Sequence, residues 1–285
     1  STRDIKRRMQ TIDNARQITK AMEMIAAAKL RRAQERLERG RAYLAGMIDI
    51  IDRVVSAAQA QGDALPDIVG RESEGQRCLI VITADRGLAG GYNANVLRRA
   101  DTYLADYPGS QLILIGRKAR DYYRHRNQGF LAEYINLGDK ISFRQAQDIG
   151  HMVEEFFRGH MFDRVDIVFN YFVNSVSQRV VLRPILPVPK GETATIEKAG
   201  AMFFEPSLHG VLTALIPQYI NTAIFQSLLE AHGSEQGARM NAMHSATDNA
   251  TELIKQLTLS FNRARQGAIT KELSEIVGGA DALQS

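Results

Sequence analysis

Apolar and small residues recur at alternating steps of four and three along the first part of the chain, at Ala33, Leu37, Gly40, Leu44, Met47, Ile51, Val54 and Ala58. That spacing is the a/d seam of a coiled coil. Upstream, Ile5, Met9, Ile12, Ile18, Met22 and Ile25 keep a helical stripe with looser phase. Near the other end, Met243, Ala246, Ala250, Leu253, Leu257, Ser260 and Ala264 repeat the same steps. All seven prolines lie between Pro66 and Pro217, so residues 1–65 and 218–285 are free of them. Since proline costs about 3 kcal/mol inside a helix, its absence permits a long helix at each end, and the periodicity predicts one.

Between the arms the pattern changes to short apolar runs parted by turn residues: CLIVITA (78–84), QLILIG (111–116), FLAEYI (130–135), RVDIVFNYFV and RVVLRPIL. These read as strands. Helical stretches fit between the first four at Ala94–Ala105, Lys118–Arg126 and Phe143–Phe157, an alternation that predicts a mostly parallel α/β sheet. The last two runs are joined by NSVSQ, too short for a parallel crossover, so they form an antiparallel hairpin. Leu186 to Pro206 reads as an irregular return. The expected class is therefore α/β. A long antiparallel two-helix coiled coil is formed by an N-terminal arm (1–60) and a C-terminal arm (211–285), with a central Rossmann-like domain over 61–210. With equal rise in both helices, residue n should face roughly residue 270 minus n, which puts Ile5 opposite Arg265 and leaves the stripe Ile269, Leu273, Ile276 and Val277 without a partner helix.

Composition changes this picture little. A hydrophobic content of 45% supplies ample core, and no stretch approaches the ~18 uncharged apolar residues of a membrane span. STRDIKRRMQ is followed by no apolar run, so no signal peptide is expected. Cys78 is the one cysteine, which excludes an internal disulfide and any site with two cysteine ligands. Charge is uneven: residues 1–61 carry 13 Lys/Arg against 7 Asp/Glu, and 211–285 carry 5 against 7. Much of the positive excess sits in KLRRAQERLERGR (29–41), either a solvated helix face or a surface for an acidic partner.

One stretch invites a catalytic reading. ITADRGLAGGYNANVLRRA (82–100) is a strand end, a glycine turn and a helix start, the local order of a phosphate cradle. Yet Gly87, Gly90 and Gly91 do not match G-x-G-x-x-G, and no G-x-x-x-x-G-K-[ST] occurs. The six histidines show no H-E-x-x-H spacing, Cys78 opens a strand where burial is expected, and the adjacent Glu154 and Glu155 point different ways on a helix. No catalytic, cofactor or metal residues are therefore assigned. A nucleotide-binding α/β protein with coiled-coil arms, and a nucleic-acid module using 29–41, stay open as alternatives. Interleaved Glu35 and Glu38 and the absence of aromatics speak against the second.

Three segments carry a resemblance to the gamma subunits of F-type rotary ATP synthases: RQITKAMEMIAAAKLRRAQ (16–34), TADRGLAGGYN, and ARQGAITKELSEIVGGADAL (264–283). The resemblance implies a non-catalytic rotor shaft, one copy per complex and without cofactors. It would couple proton or sodium flow through a c-subunit ring to catalytic sites on surrounding alpha and beta subunits, and contact an epsilon subunit. It implies a peripheral membrane location on the cytoplasmic face of a bacterial plasma membrane. It makes Asp85, Arg86, Gly87, Gly90 and Gly91 a protein-facing loop, and Met22, Arg239, Arg265, Gln266, Thr270 and Glu272 the coupling contacts. Ala89 departs from relatives with cysteine in that loop, and no dithiol pair is available for a redox switch.

Overall fold

The computed structural model describes residues 2–62, 65–66, 68–69, 75–139, 141–188, 205 and 207–284. Most of the predicted irregular return from Leu186 to Pro206 lies outside them. The elements in chain order are α1 (Thr2–Gln61), β1 (Arg77–Ile82), α2 (Tyr92–Asp106), β2 (Gln111–Ile115), α3 (Arg117–His125), β3 (Ala132–Tyr134), α4 (Phe143–Arg158), β4 (Arg164–Phe172), β5 (Gln178–Leu186) and α5 (Leu208–Gln284). Every predicted strand and helix is present, with ends shifted by a few residues. α5 starts ahead of Pro217 and runs through it.

The chain packs as two units, residues 27–239 and residues 1–26 with 240–285. In the first, the strands form one sheet in the order β3-β2-β1-β4-β5. β1 pairs in parallel with β2 and β4, β2 in parallel with β3, and the hairpin β4–β5 is antiparallel. Strand alternation sorts the side chains. Leu79, Val81, Leu112 and Leu114 meet Val96, Ala100, Tyr103, Ala119 and Tyr123 of α2 and α3. Cys78, Ile80, Ile82, Ile113 and Ile115 face the opposite core with Ile149 and Val153 of α4, Ile51 and Val54 of α1, and Ile220 and Ile224 of α5. Each fully buried aliphatic side chain contributes roughly 1.5–3 kcal/mol, so a sheet covered on both faces accounts for near-continuous apolar strands. α4 begins with a capping box: Ser142 Oγ accepts from Gln145 N (3.4 Å) and Gln145 Oε1 accepts from Ser142 N (2.9 Å).

In this unit the seam of α1 follows the sequence pattern. Ala33, Leu37, Leu44, Met47, Ile51, Val54 and Ala58 are all buried. At Gly40, α1 lies close against α5: a Cβ there would lie 2.0 Å from Gln226 Oε1.

The other unit corrects the looser stripes. Ile18 and Ile25 are 60% and 56% exposed, and the half-buried positions between Ile12 and Ala26 are Arg16, Thr19, Met22 and Glu23 along with Asp13. The heptad continues in phase, with polar residues on it. Thr19 Oγ1 meets Thr247 Oγ1 at 2.8 Å, and Glu23 Oε1 meets His244 Nδ1 at 3.2 Å. On α5, likewise, Leu253 is 47% exposed and Ser260 is exposed, while Ile254 and Phe261 turn inward. A shift of one residue rotates a side chain by about 100° around the helix, enough to carry an isoleucine off the seam. Thr19 meets Thr247 instead of the residue one turn further on that equal rise predicted. From Arg265 to Val277 every residue is exposed, in agreement with an arm that has outrun its partner.

Two glycines in α1 give opposite expectations. Gly40→Ala should lower stability by about 1–3 kcal/mol through overpacking against Gln226. Gly46→Ala, where an added Cβ meets nothing within 4 Å, should raise it by about 0.5–1 kcal/mol through helix propensity. Urea unfolding of the isolated chain measures both.

Candidate functional site

In an open α/β sheet, ligands bind beyond the carboxyl ends of the strands where the strand order reverses, which here is between β1 and β4. The glycine turn stands at that point. Beside it, the first amides of α3 are bonded from within the chain. At the start of α3, Arg117 N donates to Asp85 Oδ1 (2.9 Å), Lys118 N to Ala84 O (3.1 Å) and Ala119 N to Thr83 Oγ1 (2.9 Å). Gly116, at φ +94°, lets this helix come so near that a Cβ would lie 2.2 Å from Thr83 O. In the first turn of α2, Asn93 Oδ1 accepts from Ala84 N (2.9 Å), which ties that turn back to the residues after β1.

The crevice itself is filled by α5. Tyr92 Oη donates to Ala231 O (3.0 Å), Asn170 Nδ2 donates to Tyr92 O (3.0 Å), and Ser234 Oγ donates to Asn170 O (2.9 Å). Ala84, Ala89 and Tyr92 pack against Ala238. What remains beside the end of β1 is a pocket of about 50 Å³, lined by Thr83, Ala84, Asp85, His232 and Glu235 among others. Small-molecule sites usually need several hundred Å³. The phosphate-cradle reading of this turn therefore fails on space in that crevice.

The turn and one predicted contact residue are brought together. Arg239, largely buried, pairs with Glu235 Oε1 at 2.6 Å and donates to Gly87 O at 3.3 Å. Gly90 is exposed at φ +54°, as is Leu88 at φ +61°, so the turn offers an apolar side chain outward. Arg86 and Gly91 are exposed, and Asp85 and Gly87 partly so. In the other unit Met22 is half-buried beside the seam, whereas Arg265, Gln266, Thr270 and Glu272 are all exposed. Among the described residues no three His, Cys, Asp or Glu converge as a metal site. Cys78 is fully buried and its burial pushes the thiol well above its ordinary range, which leaves it unreactive as a nucleophile.

A family model described as ATP synthase matches residues 1–283. The ATP synthase gamma chain of Desulforamulus reducens is 48% identical over 287 residues, covering 100% of this chain and 99% of that one. The chain belongs to the ATP synthase gamma family. The sodium-ion-specific ATP synthase gamma chain of Acetobacterium woodii is 36% identical, with 99% of each chain covered. Among solved structures, the central stalk and c-ring of the Tetrahymena thermophila mitochondrial ATP synthase aligns with a TM-score of 0.63 at 25% identity, over 80% of this chain and 99% of that one. A chain of the Euglena gracilis mitochondrial ATP synthase aligns at 0.65 and 20% identity over 99% and 94%, a likeness of fold. This is a gamma subunit, the central rotor stalk of an ATP synthase complex.

For a gamma subunit, the basic stretch 29–41 has a third role beside the two read from sequence. Lys29 Nζ bonds Asp139 Oδ2 (2.7 Å), Arg36 donates to Ile141 O (2.6 Å) and Arg41 pairs with Glu230 (2.7 Å), so part of the positive charge ties α1 to its neighbours. Arg31 and Arg39 remain exposed. Sequence reading missed Glu230, fully buried on α5, and its partner. The available signal was one carboxylate inside the apolar run AIFQSLLEA.

His232 lines the same small pocket, and its burial pushes its pKa below the ordinary 6.5, partly offset by Glu235 and Asp139. The folded chain thus holds this imidazole neutral where the unfolded chain protonates it. As pH falls below about 6.5 the unfolded state binds the extra proton, so stability drops until the folded-state pKa is passed. His232→Gln should flatten that part of the profile, whose slope from one group is at most about 1.4 kcal/mol per pH unit. Urea unfolding of both chains from pH 5 to 8 measures the difference.

Proposed function

We propose that this gamma subunit works as a purely mechanical element. Residues 1–60 and 211–285 act as the shaft arms and 61–210 as the domain through which the rotor is driven. Flow of protons or sodium turns a c-subunit ring, and the gamma chain turns with it. Its uneven surface then presents a different face to each of three catalytic beta subunits, which alternate with alpha subunits around the shaft. An evenly coated cylinder would bind all three states alike and by linkage could shift none of them. In this reading the chain makes and breaks no covalent bond, and needs no cofactor. No helix among the described residues is long and apolar enough to cross a membrane; in this reading the c ring and an epsilon subunit hold the chain at the cytoplasmic face of a bacterial plasma membrane.

The observation that supports this best is the uncovered end of α5. Ile269, Leu273, Ile276 and Val277 are 49–63% exposed on a single helix, a stripe that calls for an apolar sleeve. Arg265, Gln266, Thr270 and Glu272 share that stretch, all turned outward, and reach the alpha and beta subunits with charge-assisted and neutral hydrogen bonds that water can replace at each step. Met22, half-buried beside the exposed Ile18 and Ile25, meets a beta subunit farther down the shaft. Arg239 acts by holding the turn Asp85–Gly91 that faces a neighbouring subunit.

The test is assembly with alpha and beta subunits followed by ATPase and ion-uptake assays. Gamma-dependent ATPase is expected with the parent chain. Arg265→Ala with Gln266→Ala should lower ATPase several-fold, and Met22→Lys should lower ion uptake per ATP hydrolysed because the site cannot accommodate an unpaired cation. Unaltered assembly, hydrolysis and uptake in both variants would place the coupling contacts elsewhere.

A further inference from the structure

β4 outruns β1. The last residue of β4 that β1 can pair is Val168, yet β4 continues to Phe172, so the backbone groups on that side of its final residues have no strand to bond. Side chains from the two long helices take the place of the missing strand. Ser234 Oγ of α5 donates to Asn170 O. Two residues on, Phe172 N donates to Glu230 Oε2 of α5 (3.1 Å) and Phe172 O accepts from a terminal guanidinium nitrogen of Arg41 on α1 (2.5 Å). Arg41 and Glu230 grip each other at two points, Nε to Oε1 at 2.7 Å and the terminal nitrogen to Oε2 at 2.8 Å. Gln226 Nε2 adds a bond to Glu230 Oε1 (3.1 Å) and another to Leu37 O of α1 (3.2 Å). Arg41 also lies over the Tyr171 ring at 4.4 Å.

We infer that the Arg41–Glu230 pair is a torque latch: it locks the rotational setting of both shaft helices to the end of β4, so that twist applied to the α/β domain reaches the shaft without slip. This rests on the rotor function above. Apolar seam contacts resist separation of the helices but only weakly resist sliding or rolling, because one aliphatic contact replaces another. A fully buried carboxylate that accepts four directional bonds from three elements behaves differently. Rotating either helix breaks several of them at once and strands a charge away from water. Glu230 and Arg41 touch no reacting atom, so both are positioning residues.

The experiment uses the assembled, membrane-bound synthase with Glu230→Gln or Arg41→Lys, beside the parent and a control, Ile149→Val, which weakens the same core away from the latch. Ion uptake per ATP hydrolysed is measured against an increasing opposing gradient, with proton and sodium uptake followed in parallel. Glu230→Gln keeps an acceptor for Phe172 N but loses the two-point grip, and Arg41→Lys keeps the charge but not the fork. Both should retain hydrolysis and lose uptake per ATP by roughly threefold under load, with little loss at zero load. The control should track the parent. In the free chain, hydrogen exchange of the Phe172 amide should accelerate at least tenfold in Arg41→Lys and not in Ile149→Val; this readout does not depend on assembly. Uptake per ATP under load equal to the parent's in either variant, or unchanged exchange at Phe172, would overturn the latch. Failure of the parent chain itself to support coupled hydrolysis would instead overturn the rotor reading.

Discussion

No residue of α5 between Tyr219 and Gln236 is exposed and most are fully buried, and the rest of the structure is arranged around that constraint. A helix surrounded by protein can expose nothing, so its residues must be apolar, small, or polar with a partner in place. Ile220, Ala223, Ile224, Leu228 and Ala231 supply the first kinds. Several polar ones are held: Ser227 bonds its own helix and Arg183, Glu230 holds Arg41, and Ser234 reaches Asn170. Gly233 lets Leu37 of α1 pass close, where an added Cβ would lie 3.3 Å from its nearest atom. The helix therefore has one position relative to α1 and the sheet, and any movement of it must involve all three.

The same burial leaves little room for a ligand at the strand ends of an α/β domain of nucleotide-binding topology. The crevice that the strand order opens is the one α5 runs through. Asp85 and Thr83, which in another protein of this topology could face a ligand, bond the amides of α3. The glycine turn keeps its shape for a different reason, a close helix approach at Gly116 and a carbonyl at Gly87 that Arg239 reaches from α5. Fold and site thus part company: the sheet is a rigid seat for a helix.

The residues 1–26 and 240–285 are built on other terms. Their seam carries Thr19 against Thr247 and Glu23 against His244 where the larger unit has leucine, isoleucine and valine. Polar and small residues at seam positions fix register at a cost in stability. Ile18, Met24, Ile25 and Leu259 remain more than half exposed, which is unusual for a soluble coiled coil and suits a surface that other subunits cover.

Element type and order were legible from residue pattern alone, because strand alternation, helix periodicity and proline placement are local properties. The seam from Ala33 to Ala58 was legible for the same reason: every position on it is apolar or small, so the letters and the phase agree. Between Ile12 and Ala26 they do not. The most apolar letters, Ile18 and Ile25, lie one residue off a heptad that Thr19 and Glu23 occupy, and only the facing helix decides which face turns inward. Leu253 and Ile254 pose the same choice on α5. The exposure of Arg265, Gln266, Thr270 and Glu272 was legible from where the shorter arm runs out. The tie between Arg41, Glu230 and Phe172 was not, since its members are separated by well over a hundred residues at two of three junctions, and their meeting depends on β4 outlasting β1. Sequence determines what each segment is able to bury; the tertiary structure decides which polar groups must then find one another, because burial removes the water that would otherwise satisfy them.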